Sequence, residues 1–76
     1  MVQSVFISLP TVKAVQEFVA RISKLDGDFD LENGKYILDA KSLMGILSLD
    51  LSKPIKLTIE NDTAETMQAV EPFIAA

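Results

Sequence analysis

Residues 28–39 read DFDLENGKYILD, two short segments of alternating apolar and polar residues on either side of Asn33-Gly34. An Asn-Gly pair between alternating segments predicts a β-hairpin with a type I′ turn. If Glu32 pairs with Lys35, four residues share one face and are expected in the core. These four are Phe29, Leu31, Tyr36 and Leu38. The opposite face receives Asp28, Asp30 and Ile37.

A strand and a helix are predicted before the hairpin. Residues 4–9 alternate between polar and apolar positions and end at Pro10, which predicts a strand. Its apolar face carries Val5, Ile7 and Leu9. From Thr11 onward the apolar residues recur every three or four positions, which predicts an amphipathic helix. The residues expected to face the sheet are Val12, Val15, Val19 and Ile22.

A short helix and a last strand are predicted after the hairpin. Residues 42–49 begin with Ser42, a residue type that caps helix amino termini, and have Ile46 and Leu49 in helical phase. We expect a helix of two turns. Residues 54–60 alternate again and predict a strand. Its inward residues are Ile55, Leu57 and Ile59.

The last predicted element is a helix near the carboxyl terminus. Asp62 and Glu65 have the spacing of a capping box, although such a box normally starts with Ser or Thr. Pro72 removes a backbone donor, so the helix should end or kink near Val70. The residues after Pro72 then either fray or fold back onto the domain.

The predicted order is β-α-β-β-α-β-α, with strands that are apolar on one face. This order favours the α+β class, a four-stranded antiparallel sheet with the helices on one face. The sequence has 76 residues and no linker or repeat, so residues 1–76 are expected to form one domain with a single modest core.

Composition excludes several kinds of function. The chain has no cysteine and no histidine, so we predict no disulfide, no metal site and no cofactor. A formal net charge of −4 disfavours nucleic-acid binding. No apolar run approaches the roughly 20 residues of a membrane span, and no signal peptide is evident. A cytoplasmic protein without membrane insertion is expected.

Residues 41–49 read KSLMGILSL, and Ser-Lys at 23–24 and Asn-Gly-Lys at 33–35 lie upstream of them. Together these segments resemble HPr, the phosphocarrier family of the bacterial phosphoenolpyruvate:sugar phosphotransferase system, over nearly the whole chain. The resemblance implies the HPr-like open-faced sandwich, whose order of strands and helices agrees with the order read from periodicity.

The resemblance also implies that the usual phosphocarrier site is degenerate. Family members carry phosphate on a histidine, and Thr11 takes that position here. Lys13 stands where the family has an arginine, and Ala14 stands where it has a proline. Because the chain contains no histidine, and a threonine hydroxyl without a neighbouring base is a poor nucleophile, we expect neither phosphocarrier activity nor a catalytic residue.

Two sites remain as candidates for function. The resemblance implies that Ser42 is the serine that an ATP-dependent HPr kinase/phosphorylase modifies; the alternative is that Ser42 is only a helix cap. It also implies that Leu43, Met44 and Leu47 dock enzymes and regulators, on a surface rimmed by Lys13, Lys41 and Asp39. The alternative is that all apolar residues of this helix lie in the core.

Two functional hypotheses follow. The first is a non-catalytic regulatory or adaptor protein of phosphotransferase-linked carbon control, switched at Ser42, with HPr kinase/phosphorylase or a carbon-control regulator as partner. The second is a domain without phosphorylation that binds an unrelated protein, or a second copy of itself, through Leu43, Met44 and Leu47. Only the first requires Ser42.

Overall fold

Alternation and helical periodicity give four strands and three α-helices in the part of the chain that a computed structural model describes, residues 2–61 and 63–75. In chain order they are β1 (Gln3–Ile7), α1 (Val12–Ile22), β2 (Phe29–Asn33), β3 (Tyr36–Asp39), α2 (Leu43–Leu47), β4 (Ile55–Ile59) and α3 (Ala64–Val70). A 3-10 turn, Glu71–Phe73, follows α3. The strands form one antiparallel sheet in the order β1-β4-β2-β3. The predicted α+β fold is confirmed.

One face of the sheet and all three helices enclose a single core. The strands contribute Ile7, Phe29, Leu31, Ile55, Leu57 and Ile59, and the helices contribute Val15, Phe18, Ile22, Ile46 and Val70. Because every helix adds to the same cluster, the helices lie on one side of the sheet. The other side, which we call the open face, bears the alternate residues of each strand.

The hairpin differs from its predicted register. The structure pairs Asn33 with Tyr36, so Gly34 and Lys35 form the turn, and the predicted pairing of Glu32 with Lys35 is wrong. Gly34 has a φ of 63°, and no non-glycine residue in the described part of the chain has a positive φ. A type I′ turn needs positive φ at both central residues, so the predicted turn type is also wrong.

The shift of two residues keeps each side chain on its predicted face but moves the hairpin tip. Leu31 now lies opposite Leu38, and both pack with the core. Tyr36 falls next to the turn and is 72% exposed, so its predicted place in the core is wrong. Its strand, β3, is at the edge of the sheet, so Tyr36 has a neighbouring strand on one side only.

Helix α1 turns a slightly different stripe toward the sheet than predicted. Val15, Phe18 and Ile22 are fully buried, whereas Val12 is 55% exposed, contrary to the prediction. At 100° per residue, Val12 lies about 85° from the centre of this buried stripe. Ile22 lies nearest that centre, and Val15 and Phe18 lie on either side of it.

The carboxyl-terminal segment folds back onto β1. Pro72 lies within the 3-10 turn that ends the helix after Val70, as predicted. Phe73 is buried and meets Phe18 edge to face, with ring centroids 5.4 Å apart. The Phe73 carbonyl accepts the Ser8 N–H at 2.7 Å, and the Ala75 N–H donates to the Phe6 carbonyl at 2.9 Å. These bonds flank an antiparallel bridge between Ile7 and Ile74 and cover the outer edge of β1 at its carboxyl end.

The start of α3 is capped by Thr63, whose Oγ1 accepts the Thr66 N–H at 3.2 Å. The buried Thr66 hydroxyl lies 3.0 Å from the same Oγ1, so this polar side chain has a partner. The sequence predicted a capping box that starts at Asp62, a residue outside the described part of the chain. The Thr63 cap satisfies the Thr66 N–H, one residue after the Glu65 N–H that the predicted box would have bound.

Candidate functional site

The candidate site is built on the amino termini of α1 and α2, two helices that pack against each other. Thr11 is the N-cap of α1, and its Oγ1 accepts the Ala14 N–H at 3.0 Å. Thr11 and Lys13 are exposed, and Ala14 is half-buried against the core. The three residues that were predicted to form a degenerate phosphocarrier site thus lie at a capped helix start.

Ser42 plays the same structural part at α2. Its Oγ accepts the Gly45 N–H at 3.2 Å, and the residue is exposed. Because Oγ acts as the acceptor in this bond, its own hydroxyl proton is not used by the cap. Ser42 is thus an N-cap, as one prediction had it, and its oxygen is accessible from solvent.

Because Gly45 has no side chain, there is room beside it for the side chain of Ser42. A Cβ at Gly45 would stand 3.0 Å from the Ser42 Oγ and 3.4 Å from Cδ1 of Leu38. At 3.0 Å the Ser42 side chain would have to shift by a few tenths of an ångström, whereas 3.4 Å is the lower end of ordinary van der Waals contact. A glycine inside a helix lowers its stability relative to alanine, so Gly45 in the sequence already indicates a local reason for its presence.

We define the α2 surface as Leu43, Met44 and Leu47. These three side chains differ in how far they are buried. Met44 is 79% exposed and Leu47 is 38% exposed, whereas Leu43 is half-buried and packs with the core. Ile46 is fully buried and anchors the helix. The expectation that all the apolar residues of α2 lie in the core is therefore wrong, and the expected exposure holds for two of the three outer residues.

Lys41 was expected on the rim of this surface, but its side chain is held elsewhere. Its Nζ donates to the Leu25 carbonyl at 2.8 Å and lies 5.4 Å from the centroid of the Phe29 ring. Its backbone N–H donates to Asp39 Oδ1 at 2.9 Å. Lys41 thus ties the segment before α2 to the loop that follows α1 and to β2.

A turn closes the other end of α2. Asp50 Oδ1 accepts both the backbone N–H of Ser52 at 3.0 Å and its Oγ–H at 2.6 Å. These two bonds favour the carboxylate and lower the pKa of Asp50, with a smaller contribution from Lys53. The turn leads the chain from α2 back into β4.

The exposed residues Ser42 and Met44 lie in the first turn of α2, and Leu47 is its last residue. The chain has neither histidine nor cysteine to act as a base or nucleophile. Among the described residues, no helix has the length and apolar composition needed to cross a membrane.

Comparison with known proteins identifies relatives of this site and fold. A family model described as the PTS HPr component phosphorylation site matches residues 11–76. The crystal structure of HPr-C-His from Thermoanaerobacter tengcongensis is 27% identical, with a TM-score of 0.73, over 95% of this chain and 88% of that chain.

A phosphocarrier protein HPr from Bacillus anthracis str. Ames is also similar. It is 28% identical, with a TM-score of 0.70, over 95% of this chain and 89% of that chain. The match in sequence and the match in structure agree with the predicted resemblance and with the predicted open-faced sandwich.

Proposed function

The chain belongs to the PTS-HPr family, and from that membership we propose that it is a member without phosphocarrier activity that regulates protein partners of the phosphotransferase system. The absence of histidine from the sequence supports the loss of phosphoryl transfer. With a threonine hydroxyl in place of an imidazole, Thr11 serves as a helix cap. The proposed location is the bacterial cytoplasm.

The observation that carries the proposal is the position of Ser42. Its accessible hydroxyl lies at the start of α2, next to Leu43 and Met44 of the α2 surface. Phosphorylation adds nearly two negative charges and three strong acceptors. The first-turn N–H groups, including that of Gly45, are the nearest donors.

A phosphate at Ser42 would change what the α2 surface binds. Exposed Met44 and Leu47 suit an apolar contact, and a neighbouring dianion adds a requirement for cationic groups on the partner. We assign the phosphorylation of Ser42 to HPr kinase/phosphorylase. The partner that binds the phosphorylated form is assigned as a carbon-control regulator. The α2 surface and the serine then act as one switch.

Intact-mass measurement after incubation with ATP and HPr kinase/phosphorylase tests the proposal. One added phosphate is expected on the native protein and on Ser48→Ala, which removes the other exposed serine of this helix region, and none on Ser42→Ala. Absence of phosphate from the native protein, or its persistence in Ser42→Ala, would contradict the regulatory role of Ser42.

A second candidate is supported by the exposure of Met44 itself. A side chain that is 79% exposed on a short helix offers a contact that needs no phosphate. In this case the domain binds an unrelated protein, or its own copy, through the α2 surface. Binding that is the same for native protein and for Ser42→Ala, and that is lost in Met44→Asp, distinguishes this function from the first.

A further inference from the structure

The open face carries two large apolar residues that the fold does not bury. Phe6 on β1 is 57% exposed and Ile37 on β3 is 67% exposed. The register places them at the two ends of one row that crosses all four strands. Lys56 and Glu32 lie between them, with Nζ and Oε2 3.5 Å apart. From β1 to β3 the row is apolar, cationic, anionic and apolar.

The neighbouring row on the same face is also unusual. From β1 to β3 it consists of Ser4, Thr58, Asp30 and Asp39. Asp30 and Asp39 face each other directly, and like charges in that position destabilise a sheet. Ser4 Oγ and Thr58 Oγ1 lie 3.3 Å apart, so one hydroxyl donates to the other and a second proton remains for another acceptor. The half of the row on β1 and β4 thus carries hydroxyl donors, and the half on β2 and β3 carries carboxylate acceptors.

Each row is complementary, in charge and in hydrogen-bonding groups, to the same row of a second copy turned around. A two-fold axis parallel to the strands and midway between β4 and β2 would lay β1 over β3 of a second copy and β4 over its β2. Phe6 would then meet Ile37, and Lys56 would meet Glu32. In the second row, the hydroxyls of Ser4 and Thr58 would meet the carboxylates of Asp39 and Asp30. We infer that the open face is a docking surface for a second copy of this chain.

The general geometry of sheets permits this contact. Two identical twisted sheets pack face to face with their mean strand directions within about 30° of each other and a separation of about 10 Å. A shallow apolar groove beside Phe6, lined also by Lys53, Pro54 and Ala75, receives the Ile37 side chain of the second copy. The same two-fold symmetry therefore accounts for the exposure of Phe6 and Ile37. It also accounts for the facing pair of aspartates, Asp30 and Asp39.

The dimer is weak and reversible. Four strands about 4.8 Å apart, three of five residues and one of four at about 3.3 Å each, cover roughly 300 Å² per partner. That area lies below the size of stable interfaces and corresponds to transient contacts. The surface does not include α2 or Ser42, so this inference is independent of the proposed switch.

Sedimentation equilibrium of the whole chain, up to roughly 1 mM protein, tests the docking surface. The native protein is expected to show a concentration-dependent rise toward the mass of a dimer. Phe6→Thr and Ile37→Thr keep residues suited to strands and should weaken association at least tenfold. Tyr36→Thr is the matched control, because it removes an equally exposed residue from the other side of β3, and should leave association unchanged.

Charge reversal gives a sharper test, because the contact is between Lys56 of one copy and Glu32 of the other. Lys56→Glu alone and Glu32→Lys alone each place like charges together and should remain monomeric. An equimolar mixture of the two variants restores both opposite-charge contacts and should associate within a few-fold of the native affinity. The double variant should do the same.

Three results would overturn the inference. They are a native protein that remains monomeric at the highest concentration, a mixture of single reversals that does not associate, and association that is lost in Met44→Asp but kept in Phe6→Thr. Circular dichroism of each variant confirms that the monomer is folded. Loss of association in these tests leaves the phosphorylation of Ser42 unaffected, so the two proposals fail separately.

Discussion

The side-chain oxygen of Ser42 stands 3.0 Å from the position that a Cβ of Gly45 would take, and it accepts the Gly45 N–H at 3.2 Å. The capping role of Ser42 and the glycine at position 45 therefore depend on each other. A glycine in the middle of a helix loses roughly 0.5–1 kcal/mol against alanine. Here that loss makes room for a capping side chain, which itself contributes about 1 kcal/mol.

This relationship predicts non-additive stabilities. Gly45→Ala in the native background should give no gain in the free energy of unfolding, because the new methyl group crowds the Ser42 Oγ and weakens the cap. In a Ser42→Ala background the same change should gain about 0.5–1 kcal/mol. Urea unfolding of the four proteins measures the coupling, and additive effects would contradict it.

Replacement of Met44 separates binding from stability. Met44→Asp should abolish binding of any partner that uses the α2 surface, because a charge replaces an apolar contact. The free energy of unfolding should change by less than about 0.5 kcal/mol, since the side chain is 79% exposed. Titration calorimetry with a purified partner measures binding. Val2→Asp, at an exposed position before β1, is the control and should bind normally.

Phosphoryl transfer from phosphoenolpyruvate is predicted to be absent. Incubation with phosphoenolpyruvate and Enzyme I should add no label, because the chain has no imidazole and the Thr11 hydroxyl has no neighbouring base to activate it. Intact-mass measurement beside a histidine-containing HPr, which should be fully labelled, checks the assay. Stoichiometric labelling of this chain would refute the assignment of Thr11 to a degenerate site.

The carboxyl-terminal segment is predicted to be essential for stability. Phe73→Ala removes a buried ring that packs on Phe18 and should cost about 3–5 kcal/mol. A loss of that size approaches the whole stability of a small domain. Ile74→Ala, at a residue that is 40% exposed, is the matched control and should cost much less. Thermal unfolding followed by circular dichroism compares the two, and equal losses would contradict the anchoring role of Phe73.

Asp50 provides a prediction for pH. The hydrogen bonds from Ser52 lower its pKa below the ordinary value of 3.8 in the folded protein. A lowered folded-state pKa favours the folded state above the unfolded-state pKa, and that contribution disappears as the pH falls through the folded-state pKa. Ser52→Ala should move the pKa of Asp50 back toward 3.8 in a carboxyl NMR titration. Ser48→Ala should leave it unchanged.

The sequence predicted the strand and helix order well because each element depends on local periodicity. Alternation marked the inward residues of β2 and β4, and the change to a helical period after Pro10 marked α1. Ser42 was identified as a helix cap from a local pattern, a capping residue followed by apolar residues, whereas its candidate role in phosphorylation came from the resemblance to HPr. The exposure of Met44 and Leu47 was not determined in this way, because a five-residue helix carries too few residues to show which side it turns outward.

The sequence by itself determined the faces of the strands, whereas the tertiary structure decided the register between them. A side-chain period of two distinguishes inward from outward residues but gives the same pattern after a shift of two. The conformation of Gly34 and the packing of Leu31 against Leu38 resolve that ambiguity, and they bring Asp30 opposite Asp39. The rows on the open face exist only once four strands from distant parts of the chain are aligned. They depend on long-range pairing, which no local pattern encodes.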